Sequence, residues 1–160
     1  MAEVAIVDAS PLIFLARASR LDLLRMAADT ILVPESVVAE VQAHADDAAG
    51  RLLQRISWLT VAPSETAPAP ILAWHLGAGE TAVLACALAR PGAEAVLDDL
   101  AGRRCAAALG IPVRGTLGLV LTARQRGSIP AARPVVEALR REGMYLSDRV
   151  LDAALALVGE

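Results

Sequence analysis

The sequence predicts an α/β fold with a mainly parallel central sheet flanked by helices, on three observations. Short apolar runs that read as buried strands alternate with helical stretches along the whole chain. Hydrophobic residues make up 56% and charged residues 21%, enough apolar mass for a full core. The 160 residues suit one domain, 1–160, and no repeat period is visible.

The elements follow in order. Glu3 to Val7 is a strand that stops at Asp8. Ser10 and Pro11, a capping residue and a first-turn proline, open a helix over Leu12 to Ala18, and a second helical piece spans Leu21 to Ala28. Thr30 to Val33 is the next strand. Pro34 stops it and opens a helix to Ala43, with Val37, Val38 and Val41 inward. Asp46 to Arg55 reads as a polar helix, Ser57 to Val61 as a strand, and the Ala/Pro/Ser/Thr-rich stretch Pro63 to Pro70 as a loop. Gly79 to Arg90 is a helix ended by Pro91-Gly92. Ala93 to Leu97 is a strand stopping at Asp98-Asp99, and Leu100 to Leu109 is a helix stopped by Gly110. A short strand, Ile111 to Val113, and a helix, Leu117 to Arg126, follow. Gly127 to Pro130 turns, and helices over Ala131 to Glu142 and Asp148 to Leu157 close the chain.

Composition removes several classes of chemistry. All 15 cationic residues are arginine, so a phosphate-loop nucleotidase or a Schiff-base enzyme lacks its lysine. The two histidines, His44 and His75, lie in different elements, which argues against a histidine-rich zinc site. Cys86 and Cys105 make neither a disulfide framework nor a metal spacing; they read as core thiols in a reducing, cytoplasmic setting. The net charge of −3 leaves no broad basic footprint. The longest uncharged stretch, Thr66 to Gly79, is broken by prolines and glycines and is too short for a bilayer. No signal peptide is expected, because no positive region precedes an apolar one at the N-terminus.

In open parallel sheets, ligands gather beyond the carboxyl ends of strands at a topological switch point. Asp8 and the pair Asp98 and Asp99 stand at such ends, and Glu40 and Glu80 sit on helices near the same crevice. Each has an ordinary use as well. Asp8, Asp98 or Asp99 can cap a helix, Glu40 can face solvent, and Glu80 can simply sit near a helix start. Together in one crevice they would repel one another and raise each other's pKa. A divalent cation relieves that repulsion, and oxygen ligands without histidine or thiolate suit Mg²⁺ or Mn²⁺. Hydrolysis of a phosphodiester by water is the chemistry such a site supports.

These residues resemble the motifs of PIN-domain proteins. Val4 to Leu12 is similar to their opening strand, aspartate and serine; Val33 to Val41 to the proline-led helix with a glutamate. Leu76-Gly77-Ala78-Gly79-Glu80-Thr81-Ala82 resembles the third motif of the VapC-type branch with a Gly-x-Gly-Glu segment. Val96 to Arg104 and Leu109 to Gly118 look like that branch's later motifs. The resemblance implies a three-layer PIN-like fold and a metal-dependent endoribonuclease, the toxin of a toxin–antitoxin pair. It implies that Asp8, Glu40, Glu80, Asp98 and Asp99 hold Mg²⁺ or Mn²⁺ and that Ser10 assists beside the first aspartate. RNA, an antitoxin and a second copy of the chain are the expected partners. In this chain the third acid is a glutamate, and Leu97 precedes the aspartate doublet where relatives carry a hydroxyl residue two places ahead.

Two other readings stand beside it. The fold can be catalytically idle and serve only to bind a protein, with its apolar content supplying the patch. Gly77-Ala78-Gly79 also fits a dinucleotide fingerprint, although the residues before it do not read as a strand and Glu80 would oppose a pyrophosphate. Arg103 and Arg104 follow the acidic doublet on one helix and are candidates to reach a phosphate or brace a carboxylate. Arg114, Arg124 and Arg126 are candidates for the rim. The four aromatics, Phe14, Trp58, Trp74 and Tyr145, are too few for a stacking platform.

Overall fold

Strand β1, Ala2–Val7, forms the centre of the sheet because its second half, Ala5-Ile6-Val7, offers apolar side chains to both faces and is fully buried. The computed structural model describes residues 1–43 and 48–160 of the chain. Around β1 lie β2 (Ala28–Pro34), β3 (Leu59–Ala62), β4 (Glu94–Val96) and β5 (Val113–Arg114) in the order β3-β2-β1-β4-β5. All four neighbouring pairs are parallel, with Ala5 beside both Ile31 and Glu94.

The helices are α1 (Ala9–Arg17), α2 (Glu35–Ala43), α3 (Ala48–Arg55), α4 (Ala69–Leu72), α5 (Ala78–Leu88), α6 (Leu100–Ala108), α7 (Thr116–Gln125), α8 (Arg133–Arg141) and α9 (Asp148–Ala156). Helix α5 is almost wholly apolar. Val83 to Ala87 are all buried, since the helix packs on β1, β2 and β4 and against α2, α4 and α6. The fold is therefore α/β, with an all-parallel sheet flanked by helices, as the strand and helix alternation predicts.

The chain leaves β1 toward β2 and β3, then crosses back to place β4 on the other side of β1. That reversal makes the β1/β4 boundary the switch point, where connections diverge and leave a crevice. The Asp8 N–H donates to the Val96 carbonyl at 3.0 Å, so both strands end side by side there.

Several boundaries differ from the sequence reading, for local reasons. Leu21–Met26 is a 3₁₀ turn rather than a helix to Ala28, and Ala28 already pairs with Ala2 in the sheet. The third strand starts two residues later and ends one later than expected, at Leu59–Ala62, paired with β2 through Ile31 and Leu59. Pro70 seeds the short helix α4 at the end of the expected loop. The fifth strand is Val113–Arg114 instead of Ile111 to Val113. The Ile111 N–H is spent on the Ala106 carbonyl (2.8 Å) in the turn that ends α6 through Gly110, whose φ is +70°. The polar helix expected from Asp46 is seen from Ala48; Asp46, Asp47 and His44 lie outside the described residues.

Candidate active site

Asp8 occupies the N-cap position of α1, but its side chain caps nothing. It is 4% exposed, and its Oδ1 has no hydrogen-bond partner. A buried carboxylate oxygen left unpaired is costly, so a fold that keeps one has another use for it. Burial pushes the Asp8 carboxyl from 3.8 up to about 7, the Ala9 N–H offsets part of this, and Glu80, Glu40 and Asp98 add their repulsion. Four acids from four separate stretches of chain thus share one electrostatic field at the switch point.

Glycines let them approach. A Cβ at Gly79 would lie 2.6 Å from Glu40 Oε2 and 2.9 Å from Asp8 Oδ1, so both carboxylates reach toward the spot that glycine leaves open at the start of α5. Glu80, in the same first turn, folds its carboxylate back toward Gly77, with Oε2 2.5 Å from where a Cβ would stand. Its Cγ passes 3.6 Å from the corresponding position at Gly102 of α6.

Asp98 and Asp99 part ways. Asp99 is the N-cap of α6 and its Oδ2 accepts the Gly102 N–H at 2.9 Å. Asp98 turns toward α7, where Oδ1 accepts the Thr116 N–H at 2.7 Å and Oδ2 accepts the Thr116 hydroxyl at 2.6 Å. Asp98 contributes to the field at Asp8, and Asp99 is not among its causes. Ser10, Glu80, Asp98 and Asp99 line one cleft of about 1100 Å³ that runs on between α6, α7 and α9. A smaller apolar hollow of about 310 Å³, walled by Val38, Val41, Leu53 and Ile56, carries no titratable side chain among the described residues.

A family model described as a PIN domain matches residues 4–160. The chain belongs to the PIN-domain family. Its fold is thus a nuclease-type fold, and PIN domains generally use divalent metal ions. Among solved structures, a PilT N-terminus domain protein from the hyperthermophilic archaeon Sulfolobus solfataricus P2 is similar to this PIN domain over 90% of the chain and 97% of its own length, at 13% identity and a TM-score of 0.46. No curated protein matches.

The donor set of this PIN domain suits a hard divalent cation: carboxylates only, one with an unpaired buried oxygen, two directed at a single gap beside Gly79. Among the described residues no three potential ligands already stand at the spacing of a closed shell. The acids share a field, and α2, α5 and the strand ends bring them to it.

Two contributors lie in motifs visible in the sequence, but their roles at the site are not. Thr116 is fully buried and supplies the hydroxyl that orients Asp98. It stands on the strand-to-helix junction after β5, within a motif whose likeness to relatives is visible but whose contact with Asp98 needs the sheet order. Gly79 looks like helix-start punctuation until Glu40 and Asp8 are seen to use its missing side chain. The dinucleotide context is absent. The glycine pair follows α4 and a loop rather than a strand, and the Glu80 carboxylate lies over Gly77.

Proposed function

We propose that this protein is a Mg²⁺- or Mn²⁺-dependent endoribonuclease that hydrolyses RNA phosphodiester bonds. The observation that carries the reading is the buried, unpaired Asp8 Oδ1 in the combined field of Glu80, Glu40 and Asp98. Asp8, Glu40, Glu80 and Asp98 are the residues that would hold the ion. A bound divalent ion supplies Lewis-acid polarisation of the phosphoryl oxygen and a lowered pKa for water. Thr116 fixes the Asp98 carboxylate with two hydrogen bonds, which keeps one ligand oriented at little entropic cost. Asp99, engaged in capping α6, serves chiefly to hold the helix that follows Asp98. Ser10, exposed at the cleft edge two residues after Asp8, is placed to bond a carboxylate or a water beside it.

The partner reading rests on the far part of the cleft. Leu100, Tyr145, Val150 and Leu157 are exposed apolar or aromatic side chains along it. Exposed apolar side chains along one cleft support a protein partner, an antitoxin in a toxin–antitoxin pair or a second copy of the chain. In the alternative, an idle interaction module, binding through those side chains would be the whole function.

The test is cleavage of a pool of RNAs with and without Mg²⁺ or Mn²⁺. Wild type should cut only with the metal, and Asp8→Asn should lose at least about a hundred-fold of the rate. Equal cutting by both proteins, or cutting in EDTA, refutes the assignment.

A further inference from the structure

We propose that Arg103 binds a backbone phosphate of the nucleic acid beside the linkage that the acids cut; this rests on the nuclease reading above. Three arginines line the cleft: Arg103, Arg114 and Arg149. Arg114 is already spent. Its Nε donates to Glu94 Oε1 at 2.7 Å and its Nη1 to the Thr122 hydroxyl at 2.7 Å, tying β4 to β5 and α7. Arg103 is different. Its Nη1 comes within 3.5 Å of the place a Cβ at Gly115 would take, and Asp98 Oδ1 comes within 3.0 Å of the same place. Guanidinium and carboxylate therefore face one small gap, and yet Asp98 gives both oxygens to Thr116. Among the described residues the Arg103 guanidinium makes no ion pair or hydrogen bond; only the backbone N–H of this residue is engaged, to the Asp99 carbonyl at 2.9 Å.

Electrostatics give that cation a use. A polyanion approaching Asp8, Glu40, Glu80 and Asp98 meets like charge, and a metal ion neutralises it only at the acids themselves. A guanidinium at their edge offers five fixed donors to a neighbouring phosphate and can grip two of its oxygens at once. Gly115 places no side chain against the Arg103 guanidinium, which stays open to the cleft that both residues line. Arg104, the next residue on α6, is exposed but does not line the cleft, which makes it a matched control.

Binding is measured by fluorescence anisotropy with labelled single-stranded RNA of mixed sequence, across a salt series, in an Asp8→Asn background so that the probe stays intact. Arg103→Gln should weaken binding by on the order of ten-fold and lower the slope of log K against log salt by about one. Arg103→Lys should restore the slope with only part of the affinity, and Arg104→Gln should change neither. With Asp8 intact, Arg103→Gln should lower kcat/KM for RNA while Mn²⁺ affinity and thermal midpoint stay at wild-type values. Unchanged RNA affinity and salt slope in Arg103→Gln overturn the proposal, even where wild type cuts RNA and the nuclease reading stands. Loss of Mn²⁺ affinity or stability with an unchanged salt slope also overturns it, since Arg103 would then be a brace for Asp98. Wild type that neither binds nor cuts RNA removes the nuclease reading and this proposal together.

Discussion

Asp8 shows what a single side chain costs and contributes. In the folded chain its proton is held to about pH 7, against 3.8 in the ordinary case. Between those values the native state binds a proton that the unfolded chain has released. Stability therefore falls as pH rises through that window, by at most roughly 4 kcal/mol. Asp8→Asn removes the titration. Denaturant unfolding in EDTA should show wild type losing stability between about pH 4 and about pH 7, a loss that Asp8→Asn lacks, so that the variant is the more stable protein at the upper end. Parallel pH curves for the two would show that burial of this carboxyl is not what strains the site. Asp8 was legible in the sequence as an acid at a strand end, but capping and catalytic uses looked alike there. Only the unpaired Oδ1 separates them.

At the scale of elements, helix α5 does the gathering. Its apolar body is fixed on the sheet, and its first turn presents Gly79 to Glu40 and Asp8 and carries Glu80 itself. Gly79→Ala should move the thermal midpoint little, because alanine is the better helix former by about 1 kcal/mol and offsets local crowding. It should weaken Mn²⁺ binding by roughly 10–100-fold, since the new methyl occupies the spot both carboxylates reach. Calorimetric titration of the variant decides this, and wild-type affinity would show that the gap is incidental. The helix itself was easy to read, from its unbroken apolar run between Gly79 and Pro91-Gly92. The packing of α2 against its N-terminus, which brings Glu40 to the site, is a tertiary event with no local signature. Strand ends are less legible where backbone donors go elsewhere, as at Ile111, whose N–H closes the end of α6.

For the whole molecule, the parallel sheet with β1 at its centre makes the site. The order β3-β2-β1-β4-β5 sets Asp8 and Asp98, ninety positions apart in the chain, at adjoining strand ends. Alternation of strands and helices reveals that a switch point must exist, whereas the order of strands that locates it depends on long-range pairing. Arg103 and Thr116 illustrate the limit. Both sit in motifs visible in the sequence, and both acquire their meaning only when β4, β5 and α6 are assembled around Asp98. On the proposed reading, the converged carboxylates form a divalent cation site. Titration calorimetry with Mn²⁺ near neutral pH, on wild type and Asp8→Asn side by side, is the decisive measurement. Saturable binding by wild type that is lost in the variant is the result predicted here. No saturable site in wild type, or the same affinity in both proteins, would contradict it.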